Sequence, residues 1–484
     1  MMNESDAIPP LEELATILGA RGFSRDPDEL APWLTDWRRR YQGRALAMVS
    51  PANLAEVVEV VRFAAAHHLP IVPQGGNTSM VAGAVPDESG RALLLSMRRM
   101  NRIRSVTPAD NAMVVEAGVI LTHAHEAAMA VGLRFPLSLG AKGSATIGGL
   151  VSTNAGGTQV LRFGPMRALV LGIEAVLPDG SVIESLAPLR KDNRGYDLRQ
   201  LLCGAEGTLG VVTAVTLRLV PELRQRVVAW VGLDSPQAAL DLLRRLEQRL
   251  GDSVEGFELV PDIALELVLR HIPGTRAPLA TECPWYVLVE CGAVTAGDEL
   301  HTAFGAALED EINAGRVTDA MIAANGAQAE ALWHLRDSIS EAERHDGTAA
   351  KHDVSVAVSD MPRFVIEATA AVEQRFPGVR VIAFGHLGDG NVHFNVRAAL
   401  GADSQAWLAR EGHDVTAFVD DLVVKAGGSL SAEHGIGQIK LAEFARISEP
   451  ARISMLRAIK QALDPHGIMN PGKLLPLAPE GSIP

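Results

Sequence analysis

An α+β fold of two or three domains is what the sequence predicts, and three observations predict it. The 484 residues exceed what one core ordinarily fills. Strand-like runs alternate with stretches of helical periodicity, with no low-complexity linker and no repeat of roughly 20–50 residues. Pro221 and the charged stretch after it mark a boundary between a strand-rich first part and a mixed second part.

The elements follow in order. Residues 11–69 read as helices and a short strand. Leu54, Val57, Val58, Val61 and Ala65 recur at helical spacing within Pro51–His68. A strand, Pro70–Pro73, runs into Gln74-Gly-Gly-Asn-Thr-Ser79. Residues 92–120 read as short strands ending in Met113–Gly118, and a helix over Thr122–Val131 leads to a glycine-rich region, 140–157. From 168 to 220 the pattern is strand-like: Leu169–Val176, an Asp179-Gly180 turn, Ser181–Glu184 and Gly210–Val220. Residues 223–455 alternate helical periodicity with strands at 227–232, 285–291 and 380–396, an α+β second part. The tail Asp464–Lys473 is rich in turn formers and is expected to fold back onto the body.

Composition excludes several function classes. Hydrophobic residues at 47% with charged residues at 21% are those of a soluble globular protein. A net charge of -14 argues against nucleic acid as partner, and no Lys/Arg-rich run suits an anionic membrane surface. Arg38-Arg39-Arg40 reads as a solvated helix end. Cys203, Cys283 and Cys291 show no CxxC spacing and are too few for a four-thiolate cluster or a disulfide framework, which fits a reducing compartment. No apolar signal core or membrane-spanning run appears, so a cytoplasmic protein is expected.

Two glycine-rich loops carry the first functional signal. Gln74–Ser79 offers several backbone N–H groups with little side-chain bulk, and Gly140–Gly149 with Thr153–Thr158 is a longer region of the same type. Such loops can cradle phosphate. Neither is a Walker A loop and neither is a good dinucleotide fingerprint. Two of them, both entered from strand-like segments, suggest an extended cofactor with a pyrophosphate; tight chain packing would use glycine in the same way.

The second signal lies in His386–Asn395 and Ser431–Gly435. Val381–His386 reads as a strand, Leu387–Gly390 as a turn and Asn391–Val396 as the returning strand. Alternation puts Asn391, His393 and Asn395 on one face, and His386 can meet His393 across the hairpin. With Glu433 they form a candidate set of two imidazoles and a carboxylate for a divalent metal, with a coordination position left open. The simpler reading is of hydrogen-bonded polar residues on a sheet.

Taken together, these stretches resemble the FAD-binding oxidoreductases of the vanillyl-alcohol-oxidase/p-cresol-methylhydroxylase type. Nearly the whole chain resembles the D-2-hydroxyacid dehydrogenases among them, and the D-2-hydroxyglutarate dehydrogenases most. The matching stretches are Pro73–Ser79, Pro136–Ser144, Ile147–Gly157, Leu189–Asp197, Gly204–Gly210, Gly385–Asn395, Ser431–Gly437 and Asn470–Lys473.

The resemblance implies a two-part FAD-binding domain of mixed sheets and helices over 1–222. A substrate-binding α+β cap with an antiparallel sheet would span 223–455, and a C-terminal segment, 456–484, would return to the FAD domain. FAD would rest on Pro73, Gly75, Gly76, Asn77, Thr78 and Ser79, on Pro136, Gly143, Ser144, Gly148 and Gly149, and on Asn154, Glu206, Val212 and Asn470. Some relatives attach the flavin covalently through a histidine after the paired glycines; Asn77 stands there, which implies non-covalent FAD.

His386, His393 and Glu433 would hold the metal, zinc foremost, with manganese, iron or cobalt also suited. His434 would be the general base. Arg336, Ser340, Lys351, Asn395 and His434 would bind substrate. Ser340 replaces the threonine common in relatives and keeps the hydroxyl, and Arg336 and Ser340, four apart, would share one helix face. Lys351 is the residue that points to a dicarboxylate.

The activity implied is oxidation of D-2-hydroxyglutarate to 2-oxoglutarate by hydride transfer to flavin N5. The alternative is a D-lactate or other D-2-hydroxyacid dehydrogenase, glycolate-oxidase-like. An electron-transfer flavoprotein or a quinone would take the electrons, and the chain would form a homodimer. Two other classes stay open on the residues alone: a zinc hydrolase, which needs no flavin loops, and a catalytically dead flavin-binding sensor.

Overall fold

The computed structural model describes residues 10–476. The first part holds two larger sheets and a two-stranded one, in which Leu133–Arg134 pairs with Val220–Pro221. In the four-stranded sheet, Phe23–Ser24 pairs antiparallel with Ala47–Val49, which runs parallel to Leu93–Ser96, itself parallel to Ile71–Gln74. Two short strands therefore lie within 11–69, where the sequence suggested one. Helix Leu54–Ala66 packs on this sheet through Val57, Val60, Val61 and Ala64, none with exposed surface. Asn53 caps it by accepting the Glu56 N–H, and Glu56 accepts the Ala52 N–H in return. Each such fully buried valine contributes about 1.5–3 kcal/mol relative to exposure.

The second sheet is antiparallel and five-stranded, in the order Ile103–Thr107, Ala112–Glu116, Val211–Arg218, Val170–Val176, Val182–Ser185. Helices Leu121–Met129 and Ile147–Thr153 contribute to its apolar core. The chain end meets the four-stranded sheet: Met469 bridges Ile71, the Ile71 N–H donates to Ile468 O, and Asn470 N–H donates to Ile71 O.

The second part is a seven-stranded antiparallel sheet. Its order is Asp319–Ile322, Gln225–Leu233, Trp285–Ala293, Val254–Pro261, Arg380–His386, Asn391–Arg397, Ala349–Ser355. Three of these, Val254–Pro261, Asp319–Ile322 and Ala349–Ser355, were not read from the sequence. One face is mainly apolar, with buried His352 the polar residue among Ala350, Val354 and Phe394, and packs on helices Pro236–Leu250, Glu299–Asn313, Met361–Arg375 and Ser404–Lys425. The other face is divided. Trp230, Val260, Leu288 and Phe384 pack on helices Asp262–His271, Gly326–Asp337 and Ile339–His345. The rest of that face is polar, and the alternation expected for Asn391–Val396 holds: Val392, Phe394 and Val396 lie in the apolar core. No helix among the described residues is long and apolar enough to cross a membrane.

Candidate active site

A cavity of about 1150 Å³ is lined by both glycine-rich loops and by the polar half of the seven-stranded sheet. That exceeds the roughly 300–1,000 Å³ of an ordinary small-ligand pocket, as a dinucleotide together with a substrate requires. Of the residues expected at the cofactor, Pro73, Gly75, Gly76, Asn77, Thr78, Ser79, Gly143, Ser144, Gly148, Gly149, Glu206 and Val212 line it. Pro136, Asn154 and Asn470 do not. Pro136 is buried. Asn154 closes helix Ile147–Thr153 in a left-handed conformation and accepts the Arg167 N–H at 2.9 Å. Asn470 donates to Gly83 O and Glu206 O, a clasp on the chain end.

Close packing accounts for two of the loop glycines. A Cβ on Gly76 would stand 1.9 Å from Ser144 O, and one on Gly75 2.1 Å from Thr146 Oγ1, so the two loops touch through these residues. Gly143 has open space around it. Gly156 makes room for a side chain from the second part, since its Cβ would come within 2.8 Å of Glu433 Oε1. Glu206, buried, accepts the Ile436 and Gly437 N–H groups at 2.7 Å each, which ties the first part to the loop bearing Glu433 and His434.

Opposite the loops, strand register gathers the charged residues. His386 pairs with Asn391 and Phe384 with His393, so the two histidines are diagonal neighbours, their ring centroids 5.4 Å apart. One ligand atom from each of His386, His393 and Glu433 lies within 4.8 Å of the others. Glu258, next to His386 across Val254–Pro261, accepts from His386 Nδ1 at 2.6 Å. That leaves Nε2 as the free ligand nitrogen, the arrangement by which a carboxylate orients a metal-binding imidazole.

Burial alone would raise Glu258, but the charges and hydrogen bonds of His386 and Arg336 bring it down to about 2. Burial pushes Glu433 up to about 7 against the pull of His386, with Asp353 and Asp389 adding to the rise. A buried cluster this rich in carboxylates is suited to a cation.

Asp353 is the second hub. Its Oδ1 accepts from Asn391 Nδ2, and its Oδ2 accepts the backbone N–H groups of Glu433 and His434, all at 2.9 Å. The same Oδ2 lies 3.4 Å from His434 Nδ1. Burial, only partly offset by Asp353, holds His434 down at about 4, in its neutral form.

The expected substrate residues are only partly together. Ser340, Lys351, Asn395 and His434 line the cavity; Arg336 does not. Arg336 donates to Glu258 at 2.8 Å and lies 5.4 Å from the ring centroid of cavity-lining Phe384, with Nη2 buried and unpartnered among the described residues. The shared helix face is corrected: Gly326–Asp337 ends at Ser338 and a new helix, Ile339–His345, begins. Lys351 and Asn395 both donate to buried Glu343, at 3.1 and 2.8 Å.

Arg38–Arg40 also departs from expectation. The three form a turn, not a helix end, and line the cavity. The Asp36 carboxylate fixes that turn by accepting the N–H groups of Arg38, Arg40 and Tyr41. The sequence reading missed Glu258, Asp353, Glu343 and Arg38. One left a signal: Asp36, a turn former before a polar run, marks the turn that places Arg38.

Known proteins agree with this architecture. Residues 45–185 match the FAD binding domain family, and residues 222–474 match the C-terminal domain of FAD linked oxidases. A D-2-hydroxyglutarate dehydrogenase of Xanthomonas citri pv. viticola is 38% identical over 467 residues, covering 96% of this chain and 97% of that protein. The mitochondrial D-2-hydroxyglutarate dehydrogenase of Arabidopsis thaliana is 36% identical over 95% of this chain and 80% of its own. The solved structure of p-cresol methylhydroxylase with substrate bound superposes with a TM-score of 0.75 over 96% of each chain at 15% identity, a likeness of fold. The chain therefore belongs to the family of FAD-dependent oxidoreductases that includes these D-2-hydroxyglutarate dehydrogenases.

Proposed function

We propose that the chain oxidises a D-2-hydroxyacid, D-2-hydroxyglutarate to 2-oxoglutarate foremost, using non-covalent FAD and a divalent metal. The observation that carries this is the approach of His386, His393 and Glu433 ligand atoms to within 4.8 Å, beside the cavity that the glycine loops line. The printed activity of the relatives supports the substrate class. The match to FAD-binding and FAD linked oxidase families favours this function over the zinc-hydrolase reading, which needs no flavin loops.

In this reading His386 (through Nε2), His393 and Glu433 hold the metal, and the loops at 75–79 and 143–149 hold FAD. When bound, the metal supplies Lewis acidity toward the substrate hydroxyl and FAD supplies the hydride acceptor. His434 takes the hydroxyl proton at Nε2, because Asp353 occupies the Nδ1 side and burial keeps the ring neutral at pH 7. Arg336 offers its unpartnered Nη2 to a carboxylate oxygen. Glu343 holds Lys351 and Asn395 in place for the rest of the substrate, with Ser340 at the cavity wall. An electron-transfer flavoprotein or a quinone completes the cycle, and the chain acts as a cytoplasmic homodimer.

One observation favours the D-lactate alternative: Lys351, the cation expected to select a dicarboxylate, is already ion-paired with Glu343. A steady-state assay with a dye acceptor separates the two. D-2-hydroxyglutarate should give the highest kcat/KM, with its L-enantiomer inactive. A higher value for D-lactate would replace the substrate and keep the chemistry.

A further inference from the structure

The cations around the cavity are unequal. Arg336 is paired with Glu258 and Lys351 with Glu343. Arg39, Arg40 and Arg344 line the cavity but are exposed. Arg38 differs from both groups: it lines the cavity, it is half-buried, and its guanidinium has no ion-pair or hydrogen-bond partner among the described residues.

Its position is built. Asp36 holds its backbone N–H at 3.0 Å, Thr35 bridges Gln42 across the turn, and Asn77 Nδ2 donates to Thr35 O at 2.9 Å. Asp353, Lys351 and His434 line the same cavity, and Asp353 lies near enough to feel its charge. All three are residues of the second part, so the cavity that Arg38 lines is shared with the polar wall, and its own neighbours Asp36 and Arg40 also lie within reach of its charge. A half-buried charge without a partner is costly to keep unless an anion completes it.

We propose that Arg38 is a specificity-determining residue that takes the substrate carboxylate remote from the reacting carbon, making this a site for 2-hydroxydicarboxylates. The proposal rests on the D-2-hydroxyacid reading above. A guanidinium suits that task because its planar fork meets a carboxylate with two parallel N–H donors. It also adds a cation without an ion-pair partner beside Lys351, which is already paired with Glu343.

The test uses full-length, FAD-loaded protein, with Arg38→Ala and Arg38→Lys, on two five-carbon substrates. D-2-hydroxyglutarate carries the remote carboxylate and D-2-hydroxyvalerate lacks it. Arg38→Ala should raise KM for D-2-hydroxyglutarate about 10- to 100-fold. The change in kcat should be smaller, and the KM rise on D-2-hydroxyvalerate at least tenfold smaller. Arg38→Lys should recover part of the loss.

Equal rises on both substrates would overturn the proposal. So would loss of FAD from a folded variant, which would assign Arg38 to the cofactor phosphates. If Arg38→Ala melts early, Arg38→Lys decides by the same comparison. Wild-type protein inactive on both substrates would overturn the D-2-hydroxyacid reading itself, a failure seen before any variant is made.

Discussion

The cavity wall formed by residues 75–79 and 143–149 presents mainly backbone, whereas the wall formed by Ala349–Ser355, Arg380–His386 and Asn391–Arg397 presents charged side chains. The first depends on what is missing: at Gly75 and Gly76 a Cβ has no room. The second depends on a further layer of acids. Glu258 fixes His386, Asp353 faces His434, and Glu343 holds Lys351 and Asn395. The backbone wall should therefore fail by losing cofactor or fold. The side-chain wall should fail by losing chemistry while the protein stays yellow.

The largest break should come at His434. His434→Asn is expected to lower kcat about 10²- to 10⁴-fold with flavin absorbance and metal content retained; near-normal flavin reduction would remove it as base. Next is the second layer. Glu258→Gln frees His386 to turn and should weaken metal binding about 10- to 100-fold, read by competition with a chelator, again with FAD retained.

A change in the other wall should have the opposite signature. Gly76→Ala pushes a methyl into Ser144 O and should cost about 1–3 kcal/mol of stability together with FAD occupancy, read by melting temperature and absorbance. A yellow, stable but inactive Gly76→Ala would contradict the division of labour.

The smallest effect on activity separates sheet from site. His352 is buried with its ring nitrogens at Phe394 O and Thr416 Oγ1, and burial pushes it down to about 4. The unfolded chain binds a proton below about pH 6.5 that the folded protein refuses until about 4. Stability should therefore decline as pH falls from about 6.5 to 4, by at most ~1.4 kcal/mol per pH unit from this group. His352→Gln should flatten that part of a melting-temperature profile.

The same division explains what could be read from the sequence. The glycine loops are contiguous, so their composition alone suggested backbone donors. His386 and His393 were legible because a hairpin is local and its alternation is strict. Glu258 and Asp353 were not: they sit on Val254–Pro261 and Ala349–Ser355, strands that lack a clear signal of their own. They reach the site through pairing set by the whole sheet. Ser338 breaks a helix without a proline or glycine to announce it. Arg38–Arg40 looked like a solvated helix end because only the fold shows Asp36 binding the turn that brings them to the cavity.

The central claim is that both walls serve one reaction. Anaerobic mixing of FAD-loaded, zinc-supplemented protein with D-2-hydroxyglutarate, followed at the main flavin band, tests it most directly. The account predicts rapid bleaching that a chelator abolishes and added zinc restores, with no bleaching by the L-enantiomer. Bleaching that is indifferent to the chelator would contradict it, because the His386, His393 and Glu433 cluster would then have no part in the chemistry.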